Sequence, residues 1–506
     1  MENLSDQMGF GPCPAPFNLA EYVLTAAAAP AGKIALQILA AEAGESWTYG
    51  ALQAAVRGTA TGLLAQGLNP GDRLLMRLGN TPDFPLAYLG ALAAGLVPVP
   101  TAAVLTEAEV IKIIAQLQPA AILRDPEVAC PDSDIEIPLE RLRAMRDLPP
   151  ADWHRGDPER LGYIIYTSGT SGVPSAVKHA HRAIWARRMM FQGWYGLGAD
   201  DRVLHAGAFN WTYTLGTGLM DPWTMGATAL IPAPGTSASD LPDLLRHHNA
   251  SIFAAAPGVY RQMLRGRGQL DLPSLRHGLS AGEKMAAPVR SDWQSATGTA
   301  IYEAFGMSEC STFISGCPVH PASTGALGRA QPGRQVCLMG PEGPVDTGIA
   351  GTIAIHRSDP GLMLGYLDAP EQTRARYHGD WFLTGDQAVM DEDGQITYLG
   401  RNDDMMNAGG FRVSPLEVEA ALAGALGITG IGVTEVAVKN GVSVIAAFYT
   451  APAPLDAAEL QRYAEAKLAR YKQPRLFQQV PVLPQGANGK MLRRTLRADY
   501  EAKKYD

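Results

Sequence analysis

The sequence predicts an α/β protein: a large N-terminal domain of parallel or mixed sheets flanked by helices, followed by a small α+β domain. Three observations carry this reading. At 506 residues the chain is too long for one ordinary hydrophobic core. Up to Gly385, short apolar runs alternate with helical patterns, the rhythm of parallel strands covered by helices. Beyond that point two Asp-Gly or Asn-Gly turns sit between strand-like runs, the mark of antiparallel hairpins.

In chain order, Arg73 to Leu78 reads as a strand, Phe84 to Ala94 as a buried helix and Leu96 to Val99 as the strand after it. The apolar stretch Phe84 to Val97 is too short to span a bilayer and runs into Pro98 and Pro100, so no membrane association is expected. Thr106-Glu107-Ala108-Glu109 is a capping box opening the next helix, ahead of a strand from Ala120 to Leu123. Leu161 to Tyr166, β-branched and aromatic, is a buried strand emptying into Thr167, Ser168, Gly169, Thr170, Ser171 and Gly172. Ser251 to Ala256 and Thr299 to Phe305 repeat the strand pattern. Later, Asp393-Gly394 lies between Ala388–Met390 and Gln395–Tyr398, and Asn440-Gly441 between Thr434–Val438 and Val442–Phe448. Between these hairpins Ser414-Pro415-Leu416-Glu417 combines an N-cap Ser, a first-turn Pro and a Glu at the third helical position. The charged stretch Arg401 to Asp404 separates the two textures and divides the chain into domains 1–402 and 403–506.

Composition narrows the function. A hydrophobic fraction of 46% with 18% charged residues is that of a globular protein. The net charge of −8 leaves no electrostatic footprint for nucleic acid. Five scattered cysteines, odd in number and without C-x-x-C spacing, point to reduced thiols and a cytoplasmic location, not to disulfides or zinc. The acidic start, MENLSDQ, lacks the basic-then-apolar pattern of a signal peptide.

The run from Thr167 to Gly172 packs hydroxyls and close-approaching backbone N–H groups as a phosphate chain requires. It is no Walker loop, which needs a Lys directly after its second glycine; Gly172 is followed by Val173-Pro174. Four more segments hold groups suited to a nucleotide: Ser280 to Glu283, Tyr302 to Glu309, Trp381 to Asp386, and Gly489-Lys490. Singly, Glu309 reads as a surface carboxylate, Asp386 as a turn former and Lys490 as a solvated cation.

Taken together, YTSGTSGVP, AFGMSE, WFLTGD, GRNDDMMNAGGFRVSPLEVE and NGKMLRR resemble, in order and spacing, the segments of the adenylate-forming (AMP-binding) superfamily. The likeness is to its acyl-CoA synthetases and carboxylate–CoA ligases, of the benzoate–CoA ligase or short/medium-chain acyl-CoA synthetase type. It implies a two-step reaction: a carboxylate joins AMP with loss of pyrophosphate, then the CoA thiol displaces AMP. ATP, Mg²⁺ and CoA are the implied cofactors. Thr167, Ser168, Gly169, Thr170, Ser171 and Gly172 would cradle the phosphates, Ser308 would touch the α-phosphate and Glu309 would hold the Mg²⁺. Phe305 would stack on adenine, Asp386 and Arg401 would bind the ribose, and Ala281, Gly282, Glu283, Glu303, Ala304, Gly306 and Tyr398 would complete the nucleotide site. Lys490 would bridge the acid and the α-phosphate during adenylation. Asp403 would be the hinge of a mobile C-terminal domain whose swing withdraws Lys490 and brings Gly409, Gly410 and Arg412 to the CoA arm.

The acyl pocket implied by the resemblance takes in Phe209, Trp211, Tyr213, Leu215 and Phe313. It reads as an apolar aromatic slot with no buried Arg, which suits an aromatic or short-to-medium-chain monocarboxylic acid. Gly306 is expected to leave room in it. The partners are this acid and CoA; a homodimer and a lysine acetyltransferase acting on Lys490 remain open. Departures from the pattern are Ser175 where relatives carry a phosphate-loop Lys, Glu303 where many carry Asn or Asp, and Asn407 where some carry Lys. Two other readings stay in view: an adenylation enzyme loading a carrier-protein thiol, and a non-catalytic nucleotide-binding regulator. His179-x-His181 lacks a third ligand and reads as structural, and the basic run Arg493 to Lys504 as a solvated helix face.

Overall fold

The computed structural model of the chain describes residues 10–40, 44–167, 175–402, 404–408, 411–425, 427–439, 442–485 and 491–502. They divide into two compact units. The larger takes in the described residues up to Gln335 together with Ile355–Phe382; the smaller takes in Val336–Ala354 and the described residues from Leu383 onward. The smaller unit thus begins upstream of the charged stretch at 401–404 and includes a segment from mid-chain, because the strands Gly351–His356 and Trp381–Met390 each carry the chain across the division.

In the larger unit a nine-stranded sheet has at its centre Ile34–Leu39, Thr228–Pro232, Arg202–His205, Ile252–Ala254, His277–Ala281 and Ala300–Met307. Every neighbour among these six is parallel. Antiparallel strands close both margins: Ser46–Thr48 on one, Ser311–Ser315 and Arg329–Ala330 on the other. A second, four-stranded parallel sheet orders Val97–Pro100, Arg73–Arg77, Ala121–Arg124 and Glu136–Pro138. Strands buried on both faces need continuous apolar runs, and Leu74–Met76 and Val97–Pro100 supply them. The helix Asp83–Ala93 between them is buried at every residue. The helix Glu107–Leu117 opens with both reciprocal bonds of the expected capping box.

A third sheet is small and antiparallel. Leu161–Thr167 pairs with Ser175–Ala180, and the latter with Gly365–Tyr366. Its hairpin brackets residues 168–174.

In the smaller unit, Trp381–Met390 and Ile396–Arg401 form the hairpin turned at Asp393-Gly394, with Gly394 at φ +74°. Ser414 caps the helix Pro415–Leu422 by accepting from Glu417 N–H. A sheet of Gly430–Lys439, Val442–Thr450 and Leu476–Gln479 packs on that helix through Val418, Leu422, Val433 and Ile445. The helix Arg493–Glu501 is not the solvated basic face the sequence suggests. Leu496 is fully buried, Arg493 chelates Glu419 at 2.7 and 2.8 Å, and Arg497 Nε donates to Glu435 O at 2.6 Å.

All five cysteines are unpaired, and all but Cys13 are buried. Among the described residues no group of three or more His, Cys, Asp or Glu could hold a metal ion. No described helix is long and apolar enough to cross a membrane.

Candidate active site

Two of the expected nucleotide segments lie side by side in the larger unit. The strand His277–Ala281 runs parallel to Ala300–Met307, with Ser280 opposite Glu303 and Ala281 opposite Ala304. Both segments continue from the carboxyl ends of neighbouring parallel strands, where α/β sheets collect their ligands. Gly282, at φ +97°, turns the chain there; a Cβ would sit 3.2 Å from the Trp211 ring. Glu283 is half-buried, and burial pushes its carboxyl upward. Glu303 is 4% exposed and accepts from Met285 N–H at 3.1 Å and from Arg290 Nη2 at 2.8 Å. These bonds make it a brace for the turn that carries Met285. Burial raises its carboxyl, and the Arg290 guanidinium opposes that rise.

Phe305 lies half-buried, edge-on to Phe313 at 5.5 Å. At Gly306 the register with Ser311–Ser315 slips, and a Cβ would come within 2.2 Å of Ser311 O. The neighbouring strand therefore requires a glycine here, independently of any room it leaves for substrate.

The turn after this strand holds Ser308 and Glu309. Tyr366 Oη donates to Glu309 Oε1 at 2.7 Å, and Met363 N–H to Glu309 O at 2.8 Å. His179 Nε2 meets Ser308 O at 2.7 Å. Burial depresses the His179 pKa to about 4, so the ring is neutral at physiological pH. His181 accepts Leu19 N–H on Nδ1 at 3.1 Å and is likewise depressed by burial, to about 3. A single half-buried carboxylate with one oxygen already bonded suits Mg²⁺, which keeps waters and phosphate oxygens as its other ligands.

In the smaller unit three expected nucleotide residues come together. Asp386 and Arg401 face each other across the hairpin, with Arg401 Nη1 3.9 Å from Asp386 Oδ2. Tyr398 Oη donates to Asp386 Oδ1 at 2.9 Å. Burial and the Asp386 carboxylate hold the Tyr398 hydroxyl protonated, well above its ordinary pKa.

The expected acyl-pocket residues divide. Phe209 and Leu215 are core residues. Tyr213 lies edge-on to Trp211 at 5.0 Å and stacks on Trp194 at 5.9 Å. This wall is not purely apolar. His205 Nδ1 accepts Gly207 N–H at 3.0 Å, and its ring stands 4.4 Å from that of Tyr213. Among the described residues His205 Nε2, Tyr213 Oη and Thr214 Oγ1 are buried without a hydrogen-bond partner. Thr214 opens a π-helical segment, Thr214–Met220, a geometry often found at functional sites. A buried Arg stands beside this segment, where a Cβ at Gly216 would meet its guanidinium. Arg187 is spoken for by Asp221, with Nε and Nη2 donating at 2.7 and 2.6 Å, and by Ser311 Oγ at 2.6 Å.

Ser168 to Gly172, Asp403, Gly409, Gly410 and Lys490 lie outside the described residues, as do the side chains of Thr167, Asn407 and Arg412. The sequence reading missed Tyr366, His205 and Thr214, none of which stands in a pattern that marks it; it noted His179 with His181 and read the pair as structural.

Residues 24–367 match the family of AMP-binding enzymes. The chain belongs to that family. Among its relatives in this family of AMP-binding enzymes is the 3-hydroxybenzoate–CoA ligase of Aromatoleum sp. (strain CIB), 29% identical over 486 residues, covering 89% of this chain and 91% of that one. The mitochondrial acyl-coenzyme A synthetase ACSM2A of Homo sapiens is 28% identical over 466 residues, covering 86% and 81%. The solved benzoate CoA ligase from Burkholderia xenovorans LB400 superposes with a TM-score of 0.82 at 27% identity, covering 95% of this chain and 100% of that one. As an AMP-binding enzyme of this kind the chain is an acid–thiol ligase, with ATP, Mg²⁺ and CoA as its cofactors.

Proposed function

We propose that this ligase activates an aromatic monocarboxylic acid in two steps, forming acyl-AMP and pyrophosphate and then acyl-CoA and AMP. The observation behind the choice of acid is the aromatic wall of Trp194, Trp211 and Tyr213, with Trp211 against the Gly282 turn. The buried atoms His205 Nε2, Tyr213 Oη and Thr214 Oγ1 favour a ring carrying a hydroxyl or amino group over a plain hydrocarbon, because an unpaired buried donor costs about 1–3 kcal/mol. The names of the relatives, 3-hydroxybenzoate–CoA and benzoate–CoA ligases, agree with this. Arg187 gives no site for a second carboxylate, since Asp221 already neutralises it.

In the first step two anions meet, and oriented donors must offset their repulsion. Backbone and hydroxyl donors of 167–172 hold the phosphates, Ser308 contacts the α-phosphate, and Lys490 pairs with the acid oxygen and the α-phosphate as charge moves between them. Phe305 stacks on adenine, and Asp386 with Arg401 holds the ribose. Glu309 would hold the Mg²⁺, which when bound would supply charge neutralisation on the phosphates. Rotation about Asp403 then exchanges Lys490 for the face of Gly409, Gly410 and Arg412 at the CoA arm. Acetylation of Lys490 would silence the first step.

CoA-dependent AMP release, measured over a panel of benzoate, hydroxybenzoates, aminobenzoates, hexanoate and malonate, tests the reading. A substituted benzoate is expected to give the highest kcat/KM. Hexanoate or malonate in first place would overturn it.

A further inference from the structure

Two side chains outside every expected list reach the Ser308–Glu309 turn, and both come from one small sheet. Ser175–Ala180 leaves the 168–174 segment and carries His179; Gly365–Tyr366 pairs with that strand, placing Tyr366 opposite Val177. Tyr366 is 6% exposed, and its hydroxyl donates to Glu309 Oε1 at 2.7 Å. His179 is 3% exposed and stacks on Tyr163 at 4.9 Å, with 16° between the rings. A carbonyl oxygen can only accept, so the His179 nitrogen at Ser308 O is the protonated one, and the buried Nδ1 has no partner among the described residues. The ring is thus fixed in tautomer and orientation, with a single N–H directed at the backbone of the turn.

We propose that Tyr366 and His179 are positioning residues for the nucleotide-bound divalent cation. Tyr366 locks the Glu309 carboxylate in one rotamer through Oε1 and leaves Oε2 for the cation. His179 pins the Ser308 carbonyl, and with it the backbone that carries both Ser308 and Glu309. The strand Ser175–Ala180, which carries His179 and pairs with Tyr366, therefore sets the cation-facing turn. Outer groups that orient a ligating carboxylate are typically worth 10–100-fold in metal affinity. The proposal rests on Glu309 as the cation-holding residue, and the test separates the two claims.

Binding of the α,β-methylene analogue of ATP is measured by calorimetry on the full chain, with Mg²⁺ and with EDTA. The ratio of the two dissociation constants reports the cation's contribution, which a general loosening of the fold would not change selectively. Glu309→Gln should bring the ratio close to one. Tyr366→Phe, which removes one oxygen atom, should lower it roughly 10-fold or more while leaving metal-free binding unchanged. His179→Leu should lower it as well, and His179→Gln, which keeps an N–H within reach of the carbonyl, should recover most of the loss. If Glu309→Gln leaves the ratio intact, Glu309 does not hold the cation and the basis of the proposal fails. If Glu309→Gln collapses the ratio but Tyr366→Phe does not, the positioning role of Tyr366 is wrong. Equal losses in both His179 variants assign the effect to ring packing and remove His179 from the proposal.

Discussion

Replacing Arg290 by Met would strand a buried charge. Glu303 is 4% exposed, and its two oxygens are taken by Met285 N–H and the Arg290 guanidinium, whose own side chain is 39% exposed. Removing one partner of a fully buried pair costs about 3–5 kcal/mol. Solvent screens the outer face of Arg290, so roughly 1–3 kcal/mol is expected here. Burial holds the Glu303 carboxyl above its ordinary range, and Arg290, with Lys284 adding a smaller pull, works against that. Without the guanidinium the carboxyl rises further. A carboxyl whose folded pKa lies above its unfolded one binds its proton more tightly in the folded state. Stability therefore falls as pH rises from the unfolded pKa to the folded one. Arg290→Met should accordingly lose more against the parent at about pH 8 than at about pH 5, where the carboxyl is closer to neutral in both. Thermal unfolding across that range, with Glu303→Gln and the double variant alongside, reads it directly. The double variant should regain most of the loss, since no stranded charge remains. An identical deficit at both pH values, or a double variant as weak as Arg290→Met, would refute the reasoning.

Lys490→Ala should slow acyl-AMP formation about 100–1,000-fold yet largely spare thioester formation from supplied acyl-AMP, judged by pyrophosphate exchange against direct CoA transfer; equal losses in both would contradict the role given to this residue. Tyr398→Phe should raise the KM for ATP by roughly fivefold with little change in kcat, as expected for about 1 kcal/mol lost at the Asp386 clamp, and a purely kcat effect would argue against ribose binding there. Thr214→Val should narrow any preference for hydroxylated over plain benzoates, and an unchanged ratio of kcat/KM values would exclude its hydroxyl from substrate recognition. Arg493→Met strands Glu419 inside the smaller unit and should cost it about 3–5 kcal/mol, read as lost protection in amide hydrogen exchange over 430–450; unaltered protection would show that the pair is dispensable.

Much of the fold is legible in local chemistry. The capping box at Thr106, the Asp393-Gly394 turn and the Ser414 cap appear where the sequence puts them, because each is decided by neighbours within four residues. The strand Ala300–Met307 was legible as Thr299 to Phe305, ending in an aromatic and a glycine ahead of a hydroxyl and a carboxylate. What could not be read is tertiary. The π-helical turns Phe191–Tyr195 and Thr214–Met220 are widened by packing, and their composition suits an ordinary helix equally well. Tyr366 and Glu309 are 57 residues apart, and His179 and Ser308 are 129 apart, so only the packing of one sheet against the turn that leaves another brings them together. Arg187, Asp221 and Arg493 carry charges that sequence assigns to the surface by default; the first two are buried and the third half-buried, each through a partner at least 34 positions away.

The unpaired cysteines have a practical consequence. Burial pushes the thiols of Cys130, Cys310 and Cys337 upward, and that of Cys13 to about 12, which leaves them almost without thiolate at neutral pH. The native protein should therefore react slowly with maleimides despite its free sulfhydryls. A cysteine introduced at an exposed position such as Glu392 would then take a fluorophore selectively, opening solution-phase kinetics of the smaller unit without first stripping the natural thiols.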